Sequence, residues 1–341
     1  MTERIGIIVG WEDSFPHAFI DKVNQTPGFK AEFAKLGGIR EGDALPYRVL
    51  IDRISHEVPY YRIALKHASL MGTFVINDPL WWQADDKFFG FSLASKIGVR
   101  VPRTVVLPQH SYISAIDPKR SLRNLEYPLD WAGICDYVKF PAVLKPAEGG
   151  GWKNVSIVHD MDELIAAYDA SEQLVMTLQE FVPFTEYVRC ICIGKNYILP
   201  TKWDPQKRDY VPAENFLPKA LEAEVLDGAW KLNNALGYDM NSVEFAIADG
   251  VPYAIDFTNP APDMDVWSLH QFYFDKVVDA MAAFAIQAAR EGRVNHQGYA
   301  FREWFANPKP RPMGAYGVPN DSGGSSGDAK TKTKASPDQR P

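Results

Sequence analysis

The sequence predicts an α/β protein, with a helix-covered parallel sheet first and an α+β arrangement of antiparallel strand pairs in its second half. Three observations predict it. Apolar runs at residues 4–9 (RIGIIV), 47–52 and 73–77 alternate with helical segments, the pattern of a parallel sheet covered on both faces. Beyond Tyr187, by contrast, strand-like runs are joined by turns too short for a crossover, at Gly194-Lys195-Asn196 and around Asp249-Gly250. Between the two halves stands FPAVLKPAEGGGWKNV, residues 140–155, on which the chemistry is centred.

In chain order, Arg4 to Val9 reads as a buried parallel strand, followed by the loop Gly10-Trp11-Glu12-Asp13 and a helix with Pro16 at its first position. Gly6 and Gly10 do not make the dinucleotide fingerprint, so no NAD site is read here. A loop at the carboxyl end of such a strand faces either a ligand crevice or plain solvent. Pro59 to Met71 is a helix, and Asp85-Asp86-Lys87 opens another, with Asp85 or Asp86 as N-cap and Gly98 at its end. Thr104 to Leu107 is a strand, and residues 109–139 read as an irregular surface excursion. Asp160 followed by Glu163 resembles a capping box, opening a helix through Tyr168. Leu174 to Val182 is a strand broken by Pro183, and Tyr187–Ile193 with Tyr197–Lys202 form an antiparallel pair. The polar stretch 203–218 reads as a lid or binding loop. Leu221 to Leu236 is an amphipathic helix closed by Gly237. Residues 241–248 and 251–257 form a hairpin, and Ser268 to Arg290 a long helix. From about Asn307 the composition turns to Pro, Gly, Ser, Lys and Thr and predicts a disordered tail.

The bulk numbers narrow the function. The chain of 341 residues is long enough for two or three packed units, and its net charge of −7 argues against nucleic acid or an acidic membrane as main partner. Three cysteines make no disulfide framework. Cys190 and Cys192 fall on one face of a strand, about 6.7 Å apart by strand rise, and read as buried thiols of a reducing compartment. The seven histidines show no metal-ligand spacing. No export signal or membrane-length apolar run is present, so the expectation is a cytoplasmic protein.

Lys145 directly follows an apolar strand, a costly place for a cation unless an anion meets it. Gly149, Gly150 and Gly151 then let the backbone approach a ligand and turn its N–H groups toward phosphate oxygens. The hairpin VEFAIADGVPYAIDFTNPAP supplies the second constellation, Glu244 and Asp256 amid apolar residues. A two-residue Asp249-Gly250 turn would put these acids on opposite faces. A three-residue loop, Ala248-Asp249-Gly250, puts Glu244 opposite Ala254 with Asp256 diagonal to it on the same face, and that register is the expectation. Two acids sharing an apolar face call for a cation between them, and with Asn259 just beyond they make an oxygen set suited to Mg²⁺.

From Asp86-Lys87 through Asp256–Asn259, in order, these pieces resemble the ATP-grasp superfamily. Its carboxylate–amine ligases include D-alanine–D-alanine ligase, glutathione synthetase and ribosomal-protein glutamate ligases. The resemblance implies a Rossmann-like domain over residues 1–84 and two α+β subdomains clasping ATP, 85–183 with the glycine loop and 184–306 with the metal site. The tail, 307–341, follows. It also implies nucleotide contacts from Lys87, Lys145, the loop Glu148 to Asn154 (with Lys153), the hinge Gln179-Glu180-Phe181-Val182, and Glu186 at the ribose. Glu244, Asp256 and Asn259 match the metal triad, which in such enzymes holds two Mg²⁺ ions, with Mn²⁺ as substitute. Two departures stand out: Glu244 replaces a usual aspartate, and Asp256-Phe257-Thr258-Asn259 has one residue more than acid-x-Asn. Either Thr258 faces the site or the strand bulges.

The implied activity is ATP-dependent joining of a small-molecule carboxylate to an amine through an acylphosphate. Arg189 is the first candidate to orient acceptor and oxyanion, with Lys202 and Arg208 behind it. A phosphotransferase without amide formation and a nucleotide-binding regulatory protein are the alternatives. Homodimers are common among such enzymes, but no interface is specified by the sequence.

Overall fold

The computed structural model describes residues 2–82, 86–149, 153–295 and 298–307. Asp85, Gly150, Gly151 and the tail from residue 308 lie outside them. The described residues form three sheets. The first is parallel, in the order β2-β1-β3-β4, from β1 (Glu3–Ile8), β2 (Phe29–Phe33), β3 (Val49–Asp52) and β4 (Phe74–Ile76). Helices α1 (Ser14–Asn24) and α2 (Pro59–Leu70) provide its crossovers. β2 was not expected: FKAEF lacks the apolar run of its neighbours because it is an edge strand. Pro16 stands at the third position of α1 rather than the first, still within the turn whose N–H groups have no intrahelical acceptor.

The second sheet, antiparallel in the order β5-β8-β6-β7, joins β5 (Thr104–Leu107), β8 (Met176–Glu180), β6 (Ala142–Pro146) and β7 (Ser156–Val158). It is preceded by α3 (Lys87–Lys96), whose N-cap Asp86 accepts from the Phe89 amide at 2.6 Å, with Gly98 left-handed (φ 77°) just beyond it. Residues 109–139, expected to be irregular, contain the short α4 (Pro118–Ser121) and α5 (Trp131–Val138), capped by Asp130. In α6 (Met161–Asp169) the Asp160 cap is present, but Glu163 reaches back to the His159 amide rather than to that of Asp160.

The third sheet, β11-β10-β9-β12-β13, is built from β9 (Glu186–Ile193), β10 (Tyr197–Asp204), β11 (Asp209–Val211), β12 (Met240–Ala248) and β13 (Val251–Asn259). The expected lid over residues 203–218 is thus largely sheet: β10 runs on to Asp204 and β11 returns beside it. Strand β9 is buried on both faces. Val188, Cys190 and Cys192 pack against α7 (Lys219–Leu236), whereas Ile191 and Ile193 join α8 (Val266–Glu291) and the parallel sheet. Both cysteines are free, as expected, and burial pushes their thiols up. Helix α8 is broken at His270 (φ 54°, ψ 160°), a conformation costly for a side chain with a Cβ, and its ring meets Asp209 at 2.9 Å. A last helix, α9 (Ala300–Ala306), lies beyond what the sequence reading assigned and packs on α7. Among the described residues no helix is long and apolar enough to cross a membrane.

The first and third sheets are bolted together. The buried Arg53 guanidinium donates to Glu12 (Nε to Oε2 2.7 Å), to Met240 Sδ and to the Pro262 carbonyl. The Asp265 carboxylate accepts from the amides of Asp13 (3.0 Å) and Phe15 (2.8 Å) and from Ser14 Oγ, while Ser14 Oγ accepts from the Val266 amide. Helices α1 and α8 therefore cap each other. The Asp13 amide and the Glu12 carboxylate, from the loop read as substrate-side or solvated, serve this joint.

Candidate active site

Sheet register decides which side chains meet. Residues Asp249 (φ 51°) and Gly250 (φ 73°) form a two-residue turn, so Ala248 pairs with Val251 and Phe245 with Ala254. The expected three-residue loop is overturned. Asp-Gly tolerates both positive φ values, and that turn matches the twist of the strands. The two acids nonetheless share a face, because Ile255 is an extra residue in β13 and Glu244 pairs directly with Asp256. A second extra residue then lets Ser242 pair with Asn259. The long Asp256-Phe257-Thr258-Asn259 spacing is therefore a bulge.

Asn241, which the sequence reading passed over, stabilises this second bulge. Its side chain donates to the Phe257 carbonyl (2.8 Å) and accepts from the Asn259 amide (3.0 Å). Asn241→Ala is expected to cost about 1–3 kcal/mol, since it strands buried backbone groups. Urea unfolding measures this, and a loss below about 0.5 kcal/mol would remove Asn241 from the account.

Lys145 reaches the same place from the second sheet. Its Nζ donates to Gln179 Oε1 (3.0 Å) and to the carbonyl of the bulge residue Ile255 (3.2 Å), and lies 5.1 Å from the centre of the Phe91 ring. Burial pushes the lysine below its ordinary pKa, while Asp256 and Glu244 pull it back up and Lys87 pushes it further down. Lys87 Nζ contacts the Gly149 carbonyl, joining the start of α3 to the glycine loop. Lys145, Lys87, Glu244 and Asp256 thus converge electrostatically. Glu148 and Lys153 lie exposed on either side of the loop, and Gly150 and Gly151 fall outside the described residues.

Across three strands, Arg189, Glu244 and Asp256 stand in one row. Arg189 meets Glu244 at 3.2 Å, with its guanidinium 3.6 Å from the Trp203 ring centre and also over Tyr210. The Tyr187 hydroxyl, another residue not anticipated, donates to Glu244. Burial pushes Glu244 up and Arg189 does not offset it, because Asp256 pushes the same way. Burial is the largest influence on Arg189 and pushes it down, but Glu244, Tyr210 and Tyr187 together outweigh it and the guanidinium stays charged.

Other candidates stand apart from this row. Lys202 pairs with Glu186 (3.7 Å), and register puts both on the face opposite Arg189 and Glu244: Lys202 lies across from Val188, and Glu186 from Ile247. Arg208 is exposed in the β10–β11 turn. The odd separation of Glu186 from Arg189 on one strand already carried this signal. In the hinge, Gln179 is buried beneath Lys145, and Glu180 is held low by a two-point pair with Arg103 (2.8 and 3.0 Å). Val182 forms a small apolar patch with Ala246 and Ala248, flanked by Phe184, Tyr253 and Ile255, and the Phe181 amide donates to the Pro141 carbonyl.

The oxygen donors fit a hard divalent cation. Among the described residues there is no group of three or more His, Cys, Asp or Glu side chains placed for a metal. Magnesium requires fewer, since it binds through one or two carboxylates plus phosphates and water. Two half-buried carboxylates paired directly across a ladder repel each other, and a cation beside them relieves this.

Two α+β layers face one another, with a strand-borne lysine on one and an acid pair on the other, the arrangement of the ATP-grasp fold. Solved structures bear this out. The chain is similar to D-alanine–D-alanine ligase from Bacillus anthracis complexed with ATP, at 15% identity and TM-score 0.57 over 90% of this chain and 99% of that one. It is also similar to the VanG D-Ala:D-Ser ligase from Enterococcus faecalis, at 13% identity and TM-score 0.63, covering 85% and 100% of the two chains. A RimK domain ATP-grasp protein from Sphaerobacter thermophilus aligns at 17% identity and TM-score 0.58, over 83% and 99%. No protein-family model and no curated protein sequence matches the chain. The chain has the ATP-grasp fold, as its sequence led one to expect.

Proposed function

We propose that this protein is an ATP- and magnesium-dependent carboxylate–amine ligase acting on small molecules. The observation that carries the reading is the convergence of Lys145, from one sheet, on the Glu244–Asp256 pair of another. The supporting likeness is to proteins whose names denote ligases.

In this reading the adenine lies against the Val182–Ala246–Ala248 patch and the hinge backbone of residues 179–182, where small alanines leave room for a planar base. Glu186 is the residue that the resemblance assigns to the ribose, and it stands on the face of the sheet opposite Glu244. Lys87, Lys145 and the Glu148–Asn154 loop meet the phosphates. Magnesium would be held at the Asp256 end of the acid pair, with Asn259 just beyond, and would supply neutralisation of charge building on the phosphate oxygens. A carboxylate oxygen of the acid substrate attacks the γ-phosphorus, the bond to the β-oxygen breaks, and ADP leaves. The amine then attacks the acyl carbon, the carbon–oxygen bond to phosphate breaks, and the amine gives up a proton. Arg189, fixed between Trp203 and Glu244, is the cation placed to steady the oxyanion.

Incubation with ATP, Mg²⁺ and panels of acids and amines tests this. ADP and phosphate should be released only when both partners are present, together with an amide product. A stable phosphorylated acid with no amide would favour the phosphotransferase reading. If nucleotide binds but no acid or amine stimulates turnover, the ligase assignment falls.

A further inference from the structure

We propose that Glu244 is a positioning residue for Arg189 and Tyr187 rather than a ligand of the divalent ion, so that the site holds a single ion, on Asp256. The inference rests on the nucleotide-binding reading above and divides labour within that acid pair. Both oxygens of Glu244 are committed within the protein: Oε1 to the Arg189 guanidinium at 3.2 Å and Oε2 to the Tyr187 hydroxyl. Arg189 cannot follow a departing Glu244. It is packed on Trp203 and Tyr210, with only 19% of its side chain exposed, and its buried Nε has no hydrogen-bond partner. Drawing Glu244 away to coordinate an ion would leave a desolvated guanidinium uncompensated.

Asp256 is in the opposite situation. Among the described residues no cationic side chain lies within ion-pair distance of it; Lys145 directs two of its three donors to Gln179 and the Ile255 carbonyl instead. The bulge at Phe257–Thr258 and the Asn241 clamp bring Asn259 to the same end of β13, where its Oδ1 accepts from the Ala261 amide (3.2 Å). An ion on Asp256 would relieve its repulsion of Glu244 without displacing Arg189. The row Arg189–Glu244–Asp256 then reads as cation, anion, anion, with the ion at its open end.

The test is titration of the full chain with Mn²⁺ in the presence of a non-hydrolysable ATP analogue, followed by electron paramagnetic resonance. The expected result is one ion per chain. Asp256→Asn should weaken Mn²⁺ binding by more than about a hundredfold, a direct-ligand loss, whereas Glu244→Gln should weaken it by less than about tenfold with an unchanged spectrum. Because the single Glu244 variant leaves a buried cation, an Arg189→Met/Glu244→Leu pair removes both charges and should still bind one ion. Two ions per chain in the wild type, or loss of Mn²⁺ by that pair in a folded protein, overturns the proposal and leaves the ligase reading intact. Failure of wild type to bind any nucleotide overturns both.

Discussion

Replacement of Lys145 by methionine is expected to lower affinity for a magnesium–nucleotide complex by about a hundredfold or more, with no loss of folding stability. The first half follows from charge. A desolvated ammonium facing phosphate oxygens makes charge-assisted hydrogen bonds worth about 1.5–3 kcal/mol, and its Coulomb attraction adds to them. About 2.8 kcal/mol corresponds to a hundredfold in binding. The second half follows from burial. With no phosphate present, Lys145 is a cation pushed below its ordinary pKa by desolvation, and Asp256 and Glu244 only partly restore it. Methionine fills a similar volume without that penalty, which offsets the loss of the bonds to Gln179 Oε1 and the Ile255 carbonyl. The sign in pH is fixed as well. The unfolded chain holds the Lys145 proton up to about 10.5, whereas the folded chain releases it earlier. Between the lowered value and the unfolded one, stability therefore rises with pH, and the penalty is fully present below the folded value. Calorimetric titration with a non-hydrolysable analogue and urea unfolding measure the two halves. Undiminished affinity in the variant would remove Lys145 from the nucleotide site.

Arg53→Ala is expected to cost about 3–5 kcal/mol, the range for breaking a buried ion pair from one side. The guanidinium is 1% exposed and serves Glu12, Met240 and the Pro262 carbonyl together, so truncation leaves Glu12 facing a void at the joint between the first and third sheets. The loop it braces, from Pro260 to Asp265, begins at Asn259, so looseness at the joint is passed to the end of β13. Arg53→Met combined with Glu12→Leu should recover much of the loss, because removing both charges removes the uncompensated one. Urea unfolding compares the three proteins. A loss under about 1 kcal/mol for the single variant would mean that the reciprocal caps of α1 and α8 hold the joint without Arg53.

Much of the architecture was legible because the signals are local. Gly98 and Gly237 end helices in left-handed conformations where the chain needs them, and Asp86 and Asp160 cap helices from adjacent positions. Apolar runs of four or more residues marked β1 and β3. Elements whose signal lies elsewhere in the fold were missed: β2 is ordered by pairing with β1, and β11 by pairing with β10. The hairpin shows the limit most clearly. Parity reasoning on residues 244–256 was sound, but it presumed an unbroken ladder, and an extra residue at Ile255 reversed its outcome while keeping the acids together. The same parity, applied to Glu186 and Arg189, would have separated them.

Taken alone, the amino-acid order indicated most of the succession of elements and the residue types that the site brings together, since propensity, capping and the cost of a buried lysine act over a few neighbouring residues. Only the folded molecule decided which acids face each other, which of them Arg189 engages, and that Lys202 turns the other way. Those outcomes depend on strand register and bulges, which are set by pairing between segments far apart in the chain and change the face of every residue beyond them.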